Sequence, residues 1–385
     1  MRVTFTNGGP ETMRVLMSCI LTLGRSVGAL MSEMADRFLL KRHGRRFGIA
    51  AFCAVVTGLI VVATREPGAV AAEPDAFAYN RLLGRGINLA NALDAPHEGD
   101  WGVTLKAEYF QLISQAGFNS VRLPIRWSAH AQSTPPYTID PKFFERVDWA
   151  IDQALSEKLS VVIDLHHFIE MNRDPVGNRQ QLLALWDQIA RRYQSRPPTV
   201  FFELFNEPQD QFSDDLWNEF LPELLEEVRR TNPSRMIIIG PGYWNGLDHL
   251  SALHIPDADQ RLIVTFHYYK PFHFTHQMQP WLPESMAWKG TSWGSAADRD
   301  ELHRNFEIAA NWSRQHHRPL YLGEFGVSEQ AQVEARALWS QAVIREAMRD
   351  DFSWAYYQFC SNFGVYDAAA EKWNQTLLDA LVDQK

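Results

Sequence analysis

Eight short apolar runs, each followed by a stretch with helical spacing, set the strongest limit on how this chain can fold. The runs are Gly86–Ala90, Ser120–Leu123, Ser160–Leu165, Val200–Phe205, Met236–Gly240, Leu262–Phe266, Pro319–Gly323 and Ser353–Gln358. Short apolar runs without alternation suit strands buried on both faces. Helical spacing is clear over Leu105–Ala116, Phe143–Ser156, Gln180–Tyr193, Leu216–Arg230, Asp300–Gln315 and Gln332–Met348. It is weaker near Leu247–Leu253, and a last helix is expected at Gln375–Val382. Eight such alternations without a Pro/Gly-rich break predict an α/β fold, a single (β/α)8 TIM barrel over residues 83–385. The rival is a doubly wound open sheet, which places a Gly-rich phosphate turn after its first strand. Here Gly84-Arg85-Gly86 leads into the first run instead, and no phosphate-loop motif occurs.

A parallel barrel carries its chemistry on the loops that leave the C-terminal ends of its strands. Polar and aromatic residues gather at those positions. Asn88, Asn91 and Asp94 follow the first run, Arg122 ends the second, and His166 and His167 follow the third. Asn206 and Glu207 close the fourth, and Tyr243 and Trp244 follow the fifth. His267 and Tyr269 follow the sixth, with His276 and Trp281 in the long loop beyond. Glu324 follows the seventh, and Trp354 lies in the eighth.

Two of these residues form the pattern that points to chemistry. Phe201-Phe202-Glu203-Leu204-Phe205-Asn206-Glu207-Pro208 and Tyr321-Leu322-Gly323-Glu324-Phe325-Gly326 are both apolar strands that end in a carboxylate. Strands four and seven face one another across a barrel mouth. Glu207 and Glu324 can therefore approach to about 5–5.5 Å, the separation that suits an acid/base and a nucleophile in a retaining glycosidase. A single carboxylate at a strand end is more often half of a structural ion pair; two at facing ends, among Arg, Tyr and His, reverse that reading. Arg122 has two open roles, as the cation that holds the nucleophile's charge or as a counter-ion inside the barrel. Glu203, within the fourth strand, is expected to pair with such a cation and not to be catalytic.

The histidines raise a metal reading. His166 and His167 are adjacent on an extended segment, so they are expected to point to opposite faces and to share an ion poorly. No His-x-x-x-His helix or Cys pair supports a metal, and none is expected. Trp354 and Trp281 are the expected sugar-stacking rings. The formal charge of −9, with no basic run in the body of the chain, argues against a nucleic-acid partner.

The first 72 residues read differently. Arg37, Lys41, Arg42, Arg45 and Arg46 precede an apolar stretch from Phe47 to Ala63, followed by Ala69-Val70-Ala71-Ala72. This is the pattern of a secretory signal cut before Glu73 or one residue earlier, giving a secreted or periplasmic protein. A retained membrane anchor is the other reading. Residues 73–82 are expected to be a linker. Cys19 and Cys53 lie ahead of the cut, so the remaining Cys360 has no intramolecular partner and a disulfide scaffold is excluded.

Over roughly residues 80–385 the chain resembles glycoside hydrolase family 5. The carriers are Leu204-Phe205-Asn206-Glu207-Pro208, Leu322-Gly323-Glu324-Phe325-Gly326, Val121-Arg122-Leu123-Pro124-Ile125-Arg126-Trp127, Asp164-Leu165-His166-His167, His267-Tyr268-Tyr269 and Trp354-Ala355-Tyr356. Further stretches, among them Asn88-Leu89-Ala90-Asn91 and Pro271-Phe272-His273-Phe274-Thr275-His276, resemble the endoglucanase branch with thermophilic cellulases also active on mannan. The resemblance implies that Glu207 is the acid/base, that Asn206 bonds the sugar 2-hydroxyl, and that Glu324 is the nucleophile held by Arg122 and Tyr269. It implies that His167 and His267 line the −1 subsite and that Trp354 stacks beneath its sugar. Asn91, His276 and Trp281 match outer binding positions. Two departures are Asp94, where the family branch carries Glu, and Asp164, where Asn is common. The implied activity is retaining endo-β-1,4-glucanase, with mannanase or xyloglucanase as alternatives and a non-catalytic sugar-binding relative more remote. A glucan is the expected partner, without cofactor or obligatory protein partner, and the protein is expected to be a monomer.

Overall fold

Strands pair in the order of the sequence. In the computed structural model, which describes residues 75–383, β1 (Arg85–Asn88), β2 (Ser120–Leu123), β3 (Ser160–Asp164), β4 (Val200–Glu203), β5 (Ile237–Ile239), β6 (Leu262–Tyr268), β7 (Leu320–Phe325) and β8 (Ser353–Tyr356) form a closed parallel barrel, with β8 pairing back onto β1. The expected TIM barrel is present. The signal or anchor over 1–72, with Cys19 and Cys53, lies outside the described residues. Among the described residues no helix is long and apolar enough to cross a membrane.

Helices α2 (Ala107–Gln115), α3 (Pro141–Ser156), α4 (Pro175–Tyr193) and α5 (Asp214–Arg229) follow the first four strands in turn. Their starts are written in the sequence. Asp140 and Asp174 accept backbone amides at the first turns of α3 and α4, each ahead of a proline at the first helical position. Ser213 does the same for α5. After β5 come only a short irregular turn, Gly242–Asn245, and a 3-10 helix, Leu247–Ala252, where the helical spacing is weak. The ring closes with α6 (Ala296–His316), α7 (Val333–Arg349) and α8 (Gln375–Val382).

The segment expected to be a linker is instead largely a helix, α1 (Ala76–Leu83), capped by Asp75. Ala76, Asn80 and Leu83 are buried, one face at helical spacing. Ala76 and Leu83 join Val162, Phe201, Met236, Ile238, Ile263, Tyr321 and Ala355 in the apolar cluster inside the barrel. Asn80 donates to the Leu320 carbonyl at 2.9 Å and accepts from the Ser353 hydroxyl at 2.6 Å. The hydroxyls of Ser120 and Ser160 donate to the carbonyls of Leu83 and Leu82. These partners all stand at strand starts, so α1 closes the end of the barrel opposite the strand exits.

One irregularity aims a functional residue. Phe266 of β6 pairs with Leu322, but the next residue, His267, pairs with Glu324, leaving Gly323 as an extra residue in β7. A β-bulge of this kind reverses the side-chain alternation beyond it. Tyr321 points into the barrel and Leu322 into the helix-side core. On a regular ladder, with Gly323 paired, Glu324 would point outward as Leu322 does. A Cβ on Gly323 would lie 2.5 Å from the Thr265 hydroxyl and 3.2 Å from His267 Nε2, so the bulge needs a residue with no side chain.

Leu83→Ala is expected to lower the stability of a 73–385 protein by about 2–5 kcal/mol, the usual cost of truncating a buried leucine. A urea-unfolding midpoint equal to the parent's would show that α1 contributes no core.

Candidate active site

Arg122 is fully buried at the centre of the barrel mouth. Its Nε and Nη2 donate to both oxygens of Glu203, at 2.8 and 2.7 Å. Nη2 also meets Asp164 Oδ2 at 2.7 Å and Asn206 Oδ1 at 2.8 Å. Nη1 donates to Asn88 Oδ1 at 3.0 Å and to Glu324 Oε1 at 2.7 Å. Both roles left open for Arg122 are therefore filled by one guanidinium. Three carboxylates around one cation leave an excess of negative charge in a region without water, which makes ionising a further acid costly.

Glu324 and Glu207 meet above this network. The second oxygen of Glu324 accepts from the Tyr269 hydroxyl at 2.9 Å. Glu207 Oε1 lies 2.8 Å from His267 Nδ1, and that nitrogen is 3.8 Å from Glu324 Oε2. Oxygens of the two glutamates and the His267 nitrogen all fall within 4.8 Å of one another. The close approach expected from strands four and seven is thus present. Glu207 also has a left-handed backbone, φ 53°, uncommon for a residue with a side chain.

The two carboxyl groups differ in their support. Burial pushes Glu207 up to about 8; the Arg122 charge opposes this, and Glu203 and Asp164 add to it. Burial also raises Glu324, but His267, Arg122 and the Tyr269 hydrogen bond pull it back while the Glu207 charge adds to the rise. Glu324 has a guanidinium and a hydroxyl donating to its two oxygens, whereas Glu207, among the described residues, has His267 alone. Burial lowers His267, against the attraction of Glu324, which favours the neutral ring.

On the β1–β3 side, Asp164 accepts from the Ile125 amide and binds His166 Nδ1 at 2.8 Å. Burial raises Asp164 to about 6, against the pull of Arg122. His166 and His167 do not diverge. The chain has left β3 after Asp164, so strand alternation no longer governs them, and their rings lie 4.5 Å apart. Donor atoms of Asp94, His166 and His167 fall within 4.8 Å of one another. This set and Glu207–His267–Glu324 both offer nitrogen and carboxylate donors of the kind zinc takes. Asp94 is buried, and its oxygens accept the amides of Asn91 and Ala92 at 3.0 and 2.8 Å, so it shapes the turn. Burial is the main cause that raises it to about 7.

The outer positions are brought together in part. His167 meets Trp101 edge-on at 5.5 Å, and Asn91 Nδ2 donates to the Ser361 hydroxyl at 3.2 Å. Trp281 is 60% exposed, with its edge on His276. His276 itself is buried among Tyr269, Phe272, Trp281 and Phe363, and burial lowers it to about 3. It supports those rings more than it faces the opening.

Trp354 is not at the mouth. It is 1% exposed and packs between Phe118 and Phe325 in the helix-side core. The alternation of β8 explains this: Ser353 and Ala355 point inward, so Trp354 and Tyr356 point out. The next inward position is Tyr357, half-buried, 6.5 Å from Tyr269 and 6.0 Å from Phe363. The parity of the eighth strand identifies it; aromatic character and the family resemblance both point to the tryptophan instead.

Comparison with known proteins agrees with this arrangement. The sequence model of Cellulase (glycosyl hydrolase family 5) matches residues 84–363. Endoglucanase H of Acetivibrio thermocellus is 36% identical over 313 residues, which cover 80% of this chain and 33% of that protein. The chain thus spans about a third of that relative's length. Cel5A of Thermotoga maritima, solved with cellobiose, is 47% identical with a TM-score of 0.79 over 80% of this chain and 100% of that one. The same values hold for Thermotoga maritima Cel5A solved with mannotriose.

Two outcomes are expected from the site geometry. In carbon-13 NMR of glutamate-labelled protein, one carboxyl should titrate near 8, absent in Glu207→Gln. Glu203→Gln, which removes a negative charge that raises Glu207, should move that titration to lower pH. Trp354→Ala should lower unfolding stability by about 3–5 kcal/mol, whereas Tyr357→Ala should act on ligand affinity.

Proposed function

The chain belongs to glycosyl hydrolase family 5, the cellulase family, and from that premise we propose that it is a retaining endo-β-1,4-glucanase. The observation that carries the reading is the close approach of Glu207 and Glu324, one placed to keep a proton and the other a charge. Glu324 attacks the anomeric carbon as protonated Glu207 donates to the leaving oxygen. Glu207, now ionised, takes a proton from a water whose oxygen attacks the anomeric carbon and displaces Glu324, which releases the sugar with its original configuration. Arg122 and Tyr269 hold Glu324 in place through the cycle. Asn206, oriented by Arg122, is placed for the 2-hydroxyl of the attacked sugar. Tyr357, Trp281 and Trp101 provide rings for sugar faces.

Glucan is the first substrate class, and mannan is a second reading. The second rests on the relative solved with both cellobiose and mannotriose. We read the segment ahead of the barrel as an export signal, which N-terminal sequencing of secreted protein would test.

Proton NMR of a cellooligosaccharide digest should show the β-anomer first, followed by slow mutarotation; the α-anomer first would overturn the retaining reading. Glu324→Ala should lose essentially all turnover. The alkaline limb of the pH profile should fall near 8, as Glu207 is stripped of its proton. Digestion of carboxymethylcellulose, barley glucan and glucomannan in parallel, with products separated by chromatography, ranks the substrates. Inactivity on all three would refute the assignment.

A further inference from the structure

Between β5 and the 3-10 helix, Tyr243, Trp244 and Asn245 are successive residues with left-handed backbones, φ 53°, 61° and 50°. Such a run is unfavourable for residues with side chains. Its ends are tied to the catalytic centre. The Trp244 amide donates to the carbonyl of Pro208, next to Glu207, at 3.1 Å, and Gly246 bridges to His267. The turn delivers the fully buried side chain of Asn245 to His267, Nδ2 to Nε2 at 3.4 Å. Gly240 leaves the room for it: a Cβ there would lie 2.3 Å from Asn245 Oδ1.

Asn245 Oδ1 is buried with no hydrogen-bond partner. The reversed amide would leave its NH2 group unpaired instead, and buried N–H groups without partners are rarer than buried carbonyls without them. The orientation with Nδ2 toward the ring therefore decides the tautomer of a neutral imidazole. Nε2 accepts, and the ring proton sits on Nδ1. From there it points at Glu207 Oε1, 2.8 Å away. A carboxyl oxygen that accepts a hydrogen bond is the poorer place for the acid's own proton.

We propose that Asn245 is a positioning residue that, by fixing the His267 tautomer, keeps the acidic proton of Glu207 on Oε2, the oxygen left for the glycosidic bond. The reversed tautomer would present a bare Nδ1 and draw that proton onto Oε1, away from the leaving group. The same Nδ1–H serves the second step, where it donates to ionised Glu207. No proton leaves the Asn245–His267 pair in either step. This inference rests on Glu207 being the acid/base, and its test separates the two ideas.

Asn245→Asp keeps the size of the side chain but removes the donor, so the ring proton moves toward Nε2. kcat/KM is measured on aryl β-cellobiosides, from 2,4-dinitrophenyl, which needs no proton to depart, to phenyl, which does. In Asn245→Asp the loss on the phenyl substrate should exceed the loss on the dinitrophenyl substrate by about 10²-fold, the scale of general acid catalysis. Nitrogen-15 NMR of histidine-labelled protein should show His267 protonated at Nδ1 in the parent and at Nε2 in the variant. Equal losses on both substrates, or an unchanged His267 tautomer, would overturn the proposal. Asn245→Gly suits the left-handed backbone and guards against misfolding: it should show the same leaving-group dependence, and its absence also counts against the proposal. Glu207→Ala is the control. If it shows leaving-group dependence and the Asn245 variants do not, only the role of Asn245 fails; if it shows none, the acid/base assignment fails.

Discussion

One buried guanidinium holds the mouth of this barrel together. Arg122 is closed off from solvent, so its donors are met by protein. They are met by five residues on four strands or their exits: Asn88, Asp164, Glu203, Asn206 and Glu324. Removing any one partner leaves a buried charge short of an acceptor, which costs far more than a surface pair does. The arrangement serves function through that cost. It fixes Glu324 and Asn206 relative to each other. Burial is the main cause that raises Glu207; Arg122 opposes the rise, and Glu203 and Asp164 add to it.

The barrel is divided along its axis by polarity. At one end α1 and an apolar interior cluster fill the space. At the other the interior carries charged and aromatic groups. Stability and chemistry are thus assigned to opposite ends of the same eight strands, a separation the parallel architecture permits because every strand ends on the same side. The loops then vary without touching the plug. The strained Tyr243–Trp244–Asn245 turn is one such loop, and its unfavourable backbone is sustained by the strands on either side.

Much of this was legible in the sequence because it follows from local rules. Strand and helix positions came from apolar spacing and caps. The paired glutamates and Arg122 came from the rule that polar residues at the exits of parallel strands need a use. Other features depend on parity and register, which apolar runs do not display. Trp354 was placed in the site because it is large and aromatic, but one residue of strand alternation turns it into the core and brings Tyr357 forward. The histidine pair was expected to diverge, because the end of β3 at Asp164 is invisible in a run that stays apolar through Leu165. Helix α1 was missed because eight residues give too few turns for a periodic signal.

The bulge at Gly323 has a meaning beyond its geometry. A carboxylate set on a regular strand at that position would follow Leu322 outward and spend its charge among helices. Glu324 reaches the mouth because the residue before it drops out of the ladder and fills no space beside Thr265 and His267. A mutational scan scored on activity alone would therefore rank Gly323 beside the two glutamates, although glycine has no side-chain atom to offer a sugar. In transplanting this catalytic pair to another barrel, the unit to copy is the dipeptide Gly323-Glu324 with its register shift, because the carboxylate alone carries no instruction about which way to face.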